Sequence, residues 1–185
     1  MERVGGQTNL TQHLSHKLTK ADMGKEQERK WLVDSLPEDL GEGDFIQQAH
    51  VVVTENKDVR LRKRQKPNGA ATRTLTIKKG TGESREEYDT EITPQQYWNL
   101  DSGVEGTEIE KRRHEIEIGG HTAEIDIYRG ALEGLAVVEV EDPKGFEAPD
   151  WFGAEVTEDE RFKNKWLAVK GIPTAPLSRR RPIDE

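Results

Sequence analysis

The sequence predicts an α+β fold, mainly antiparallel β, with about eight strands and a few helices. Short runs of alternating apolar and charged residues recur from Glu26 onward, each closed by turn residues. Gly119-Gly120 breaks one long alternating run in the middle, as a hairpin turn does. Helix start signals stand at two places, Thr93-Pro94 and Thr157 with Glu160.

The elements follow in order. "EQERKWLV" opens the first strand at Glu26 and gives way to the Gly/Pro/Asp-rich loop "DSLPEDLGEGD". "FIQQAHVVVT" leads to the turn "ENKD", and "VRLRKRQ" to "KPNG". "TRTLTIKKG" passes through "TGES" into "REEYDTEI". "TPQQYWNL" reads as a short helix, with Thr93 as N-cap and Pro94 in the first turn. "TEIEKRRHEIEIGGHTAEIDIYRG" reads as a hairpin, and "LAVVEVE" as one more strand. "TEDERFKNKWLAVKG" reads as a closing helix, with Thr157 as cap, Glu160 completing a capping box and Gly171 past its end. Residues 1–24 are expected to be a mobile extension, 25–171 one domain, and 172–185 a loose polar tail.

Composition narrows the function. A chain of 185 residues is long enough for one core. With 35% charged residues and a mean hydropathy of −0.90, composition alone leaves disorder open, but the Trp, Val, Ile and Leu residues stand in strand-like runs. A net charge of −8 argues against a protein that coats nucleic acid. The absence of cysteine excludes disulfides and thiolate metal sites. No apolar run is long enough to span a membrane, and the first twenty residues lack the apolar centre of a secretion signal. A cytoplasmic protein is expected.

Alternation carries the functional signal, because side chains along a strand point to opposite faces. Arg60, Arg62 and Arg64 share one face, Thr76 and Lys78 another, and Lys111 and Arg113 a third. Glu26 and Glu28, Arg85 and Glu87, Glu124 and Asp126, and Glu139 and Glu141 pair in the same way. The opposite faces are mostly apolar. For a single strand, a sheet with one wet face explains this. The set as a whole is nearly pure in sign, strand by strand, and that suits a closed, tunnel-like barrel with a charged lumen. Buried charges need partners or a charged guest. Arg and Lys rows suit phosphate oxygens, and carboxylate pairs suit a hard divalent cation. Together they suggest a phosphate chain with its metal.

"EQERKWLV" resembles the E-x-E-x-K-[FW]-L-V signature of the CYTH domain, the triphosphate tunnel metalloenzymes. The likeness continues in order through "RLR", "LTIKKGTGESREEYDTEI", "EKRR", "AEIDIY", "GLAVVEVE" and "WFGAEVTEDERFKNKWLA", from Glu26 to about Ala168. It is nearest to the compact bacterial members. The resemblance implies an eight-stranded antiparallel tunnel that hydrolyses a triphosphate with Mg²⁺ or Mn²⁺. It implies that Glu26, Glu28, Glu139, Glu141 and Asp126 hold metal, with Glu124 assisting. Lys30, Arg60, Arg62, Lys78, Arg85, Lys111 and Arg113 would grip phosphate, and Lys165 would reach one tunnel mouth. Catalysis would centre on Glu26, Glu28, Lys30, Lys111 and Arg113. A homodimer is expected on the same ground. Ala49-His50 departs from the Gly-Tyr of the compact relatives, and "DPKGFEAPD" replaces a short helix.

Inorganic tripolyphosphate is the leading substrate, because the chain is small and its loops short. Thiamine triphosphate, a nucleoside triphosphate or an adenylate cyclase reaction belong to the same chemistry. A non-catalytic polyphosphate-binding module is the alternative of another class, and it could do without the carboxylate pairs. An RNA-binding sheet is disfavoured by the acidic pI and by basic faces without interleaved aromatics. His50, His114 and His121 are expected to be structural or exposed, with His114 pointing away from the lumen. Trp98, Trp151 and Trp166 are expected in packing roles.

Overall fold

The computed structural model describes residues 19–20, 28–80, 86–102, 104 and 107–174. One antiparallel sheet dominates it. Its long strands are β2 (Glu28–Val33), β3 (Asp44–Val53), β4 (Lys57–Gln65), β5 (Ala71–Lys79), β6 (Glu86–Glu91), β7 (Ile109–Ile118), β8 (His121–Arg129) and β9 (Ala136–Glu141). These are the eight runs read from the alternation. Two short strands stand at the sheet edges: β1 (Thr19–Lys20) along β6, and β10 (Phe152–Glu155) along β2. β1 lies within the expected extension, the rest of which falls outside the described residues. The strand order is β1-β6-β5-β4-β3-β7-β8-β9-β2-β10, an open order among the described residues, so closure into a barrel is not seen in the pairing.

The sheet is nevertheless curled. β4 and β9 are four strands apart, about 19 Å in a flat sheet. Arg62 on β4 still senses the charges of Asp126 on β8 and Glu139 on β9. Their common face is therefore concave.

Turn chemistry fixes the register. The β7–β8 hairpin turns at Gly119-Gly120, both at positive φ (58° and 83°), as a type I′ turn requires. Helix α1 (Pro94–Asp101) begins as the sequence predicts: the Thr93 hydroxyl accepts from Gln96 N–H, and the Gln96 side chain accepts from Thr93 N–H. The closing segment differs. A single 3₁₀ turn (Glu160–Phe162) is capped by Asp159, and α2 (Asn164–Lys170) starts only after it. Thr157 caps neither; its hydroxyl accepts from the N–H of Lys30 and so ties this segment to β2. Gly171 ends α2 at positive φ, as predicted.

Two apolar clusters flank the polar centre. Trp31, Ile125, Val138, Val140, Phe146 and Phe152 pack on the convex side of β2, β8 and β9. The segment expected to be merely trimmed supplies Phe146, whose ring lies 5.6 Å from Trp31 and 5.8 Å from Phe152. The second cluster joins Ile109, Tyr128 and Val137 to Phe162 and Leu167 of the closing segment. Ile109, Tyr128 and Val137 stand on the concave face, so α2 covers its apolar end. Trp98 overturns the packing expectation and is 59% exposed. No described helix is long and apolar enough to cross a membrane.

Phe146→Ala should cost about 3 kcal/mol of stability, since it empties a packed aromatic site. Denaturant unfolding would measure this. Ligand affinity at the concave face should be unchanged, because Phe146 packs on the other side of the sheet.

Candidate active site

Residues paired across antiparallel strands point to the same side, so the register states what the concave face carries. Thr76 pairs with Arg60 and Asp89, Lys78 with Asp58 and Glu87, and Arg62 with Gln48. Asp44 and Ile46 of β3 pair with Arg113 and Lys111. Those pair in turn with Asp126 and Tyr128, and Glu115 pairs with Glu124. Glu124 pairs with Glu139, Glu139 with Lys30, and Glu141 with Glu28. The structure thus brings Glu28, Lys30, Arg60, Arg62, Lys78, Lys111, Arg113, Glu124, Asp126, Glu139 and Glu141 to one face. Glu26 and Arg85 lie outside the described residues.

The centre of the face is ionic and dry. Lys111 and Asp126 are both fully buried and bonded to each other. Arg113 grips Asp126 with a two-pronged contact at 2.7 Å, and also binds Glu124 and, at 3.1 Å, Glu139. Lys30 closes the chain on Glu139 at 2.6 Å. Burial would raise the Asp126 carboxyl, but Lys111 and Arg113 outweigh it and hold it well below the usual range. Burial would likewise raise Glu139, and Lys30 reverses that. Burial pushes Lys111 down to about 8, with Asp126 opposing and Arg113 assisting. Burial, Arg60 and Arg113 bring Arg62 down to about 10.

Asp126 was expected as a metal ligand; in this structure its oxygens accept from Lys111 and Arg113. Lys111 was expected to touch substrate, yet no part of it is exposed. Lys165 donates to the carbonyls of Thr54 and Glu55 at 3.3 and 3.5 Å, which fastens α2 to the β3–β4 turn. Among the described residues no three acidic or imidazole groups already converge as a cage.

The two rims differ in sign. On the acidic side, Glu28 and Glu141 face each other across β2 and β9 and are exposed. Glu124 and Glu139 also face each other, and burial together with Asp126, Glu139 and Glu141 raises the Glu124 carboxyl against the pull of Arg113. On the basic side, Lys78 meets Glu87 at 2.7 Å, while Arg60 stands 3.6 Å from the same carboxylate. The Nε of Arg60 is buried with no hydrogen-bond partner among the described residues.

Sequence reasoning missed part of this face. Gln48 is fully buried on it, and His50 is buried there too, bonded to Asp58 at 2.7 Å. Their spacing of two was the available signal. His114 turns away as predicted: its ring binds the Leu40 carbonyl at 3.1 Å behind the sheet. His114 and the Arg113 carbonyl leave no room for a Cβ at Gly43 (2.6 Å to that carbonyl), which explains the glycine.

Fold and site define a curled antiparallel-sheet protein with an ion-lined cleft, basic on one flank and acidic on the other. No protein-family model matches the chain. It is 36% identical over 148 residues to an inorganic triphosphatase of Nitrosomonas europaea, covering 77% of this chain and 95% of that protein. It is 36% identical over 151 residues to an inorganic triphosphatase of Acetivibrio thermocellus, covering 78% of this chain and 94% of that one. The crystal structure of an inorganic triphosphatase superposes with a TM-score of 0.61 at 36% identity, covering 82% of this chain and 98% of the other. The chain belongs to the inorganic triphosphatase family.

Asp126→Asn should destabilise the fold by about 3–5 kcal/mol, because it leaves Lys111 buried against a neutral partner. The wild type should lose stability as pH falls below about 4.5, where the unfolded chain binds protons that Asp126 and Glu139 refuse when folded. Glu124, shifted the other way, offsets part of that loss. Thermal melts from neutral to acid pH should show a shallower slope for Asp126→Asn.

Proposed function

We propose that this protein is a metal-dependent triphosphatase of the CYTH, triphosphate-tunnel type, which hydrolyses inorganic tripolyphosphate to pyrophosphate and phosphate. One observation carries the proposal: Lys30, Arg60, Arg62, Lys78 and Arg113 come from four strands onto one concave face beside Glu28, Glu124, Glu139 and Glu141. The family supports it, as do the short loops, which suit a slim substrate. The sheet would close around that substrate along the seam between its β1 and β10 edges.

The basic flank holds the phosphates. Arg60 offers a buried Nε without a partner among the described residues, and phosphate oxygens satisfy such a group. Arg113 is held in place by Asp126, so its fork needs little reorganisation when it meets charge. Water adds to the terminal phosphorus in line with the bridging oxygen; that P–O bond breaks, and pyrophosphate leaves. Positioning and electrostatic stabilisation suffice for such a transfer, without a covalent nucleophile.

The acidic flank fits Mg²⁺ or Mn²⁺. Its donors are all oxygens, and carboxylates directly opposite one another in a sheet are destabilising without a cation. Glu28, Glu139 and Glu141 would hold the ion, with Glu124 beside them and Glu26 two residues from Glu28. When bound, it supplies charge neutralisation at the phosphate oxygens and a more acidic water. Asp126 serves instead by fixing Lys111 and Arg113.

Glu28→Gln should abolish metal-dependent phosphate release while leaving the fold intact, since Glu28 is exposed. The assay is release from tripolyphosphate, pyrophosphate, ATP and thiamine triphosphate with Mg²⁺, Mn²⁺ or EDTA. Normal turnover by that variant would remove Glu28 from the metal site. Arg62→Ala should weaken tripolyphosphate binding by roughly 1.5–3 kcal/mol, the worth of a hydrogen bond to a charged group. An unchanged affinity by calorimetry would place Arg62 outside the binding face.

A further inference from the structure

Three polar side chains that the proposed chemistry does not use form a line that ends on Arg62. The Asp58 carboxylate meets His50 Nδ1 at 2.7 Å. His50 Nε2 lies 2.9 Å from Gln48 Nε2. Gln48 Oε1 lies 3.1 Å from Arg62 Nη2 and 3.3 Å from its Nε. Gln48 is fully buried and His50 is nearly so.

Only one assignment satisfies every member. An ionised carboxylate can only accept and a guanidinium can only donate. Asp58 therefore accepts from Nδ1–H, which leaves Nε2 of the neutral ring as an acceptor. The Gln48 amide donates to Nε2, and its oxygen is then turned toward Arg62. Backbone geometry supports the line: a bulge between His50 and Val52 shifts the β3–β4 register and sets Asp58 diagonally beside His50.

We infer that Asp58, His50 and Gln48 are positioning residues that aim Arg62 at the phosphate chain, with His50 as its Nδ1–H tautomer. The inference rests on the phosphate-binding role proposed for Arg62. A protonated His50 would present Nε2–H to the Gln48 amide, donor against donor. The amide must then turn over, and its NH₂ would face the Arg62 cation. The charged groups facing His50 are Asp58 and Arg60 on β4 and, beyond Asp58, Lys78 on β5. Lys165 of α2 is occupied by the Thr54 and Glu55 carbonyls. On β7, Ile109 stands opposite Gln48 and adds no charge.

The test is calorimetric binding of tripolyphosphate in EDTA to the wild type, His50→Phe, Gln48→Met and Arg62→Ala. At about pH 7.5 the first two variants should each bind about tenfold more weakly than wild type, one charge-assisted hydrogen bond converted to affinity. A merely structural role would lower the melting temperature and leave the affinity of the folded variants unchanged. Loss of affinity in Arg62→Ala with none in folded His50→Phe or Gln48→Met overturns the positioning chain and leaves the phosphate site standing. No loss in Arg62→Ala overturns both. Nitrogen NMR of the wild type gives a separate decision: Nδ1–H at neutral pH is expected, and an Nε2–H tautomer refutes the chain whether or not the variants fold.

Discussion

The buried contact among Lys111, Asp126 and Arg113 organises the rest of this structure. Lys111 and Asp126 sit where water does not reach and Arg113 is nearly buried beside them, and each charge would be costly there alone. Asp126 resolves the conflict by accepting from both cations. Arg113 carries the connection outward to Glu124 and Glu139, and Glu139 carries it to Lys30. Strands β7, β8, β9 and β2 are thus joined by charge as well as by backbone. The gain is orientation rather than net stability: a guanidinium held from behind keeps its geometry when an anion arrives in front.

The apolar clusters make this arrangement possible. The convex cluster around Trp31 and Phe146 holds β2, β8 and β9 from outside, so the concave face need not be apolar to keep the sheet folded. The second cluster, under α2, fills only the end of the concave face that holds Ile109, Tyr128 and Val137. Tyr128 marks the border, with its hydroxyl donating to Asn164 at 2.6 Å and its ring 5.5 Å from the Lys111 ammonium. The polar stretch is therefore finite, apolar at one end and charged beyond.

Local chemistry was legible and long-range geometry was not. Period-two alternation located all eight long strands and sorted their charged residues onto one face, because that period is a property of each strand by itself. Thr93 and Gly119-Gly120 were legible for the same reason. Thr157 misled because a capping pattern in sequence does not say whether the hydroxyl will find its own helix or the N–H of Lys30, far away along the chain. β10 is too short to show a period. His50 keeps the regular register opposite Arg60, but the bulge that follows it is visible only in the pairing with β4. Alternation put Asp126 on the charged face of its strand, but its contact with Lys111 and Arg113 is a three-dimensional fact.

Exposure separates the cations that can exchange partners from those that cannot. Lys111 has none, so any effect it has on a guest passes through Asp126 and Arg113. The side chains of Lys78 and Arg60 keep 17% and 13% of theirs, and the two share one carboxylate, Glu87. An anion entering from that side can replace Glu87 with little new desolvation, because those groups are already partly out of water. Arg113 and Lys30, at 8% each, are intermediate and bound to Glu139 from opposite sides. A cation bound among the carboxylates would compete with both for Glu139, and each bond it displaced would return a positive group to the cleft. In such a cleft a metal and a phosphate chain would assist each other: each carboxylate bond given up by Arg113 or Lys30 would leave a cation to meet phosphate oxygens.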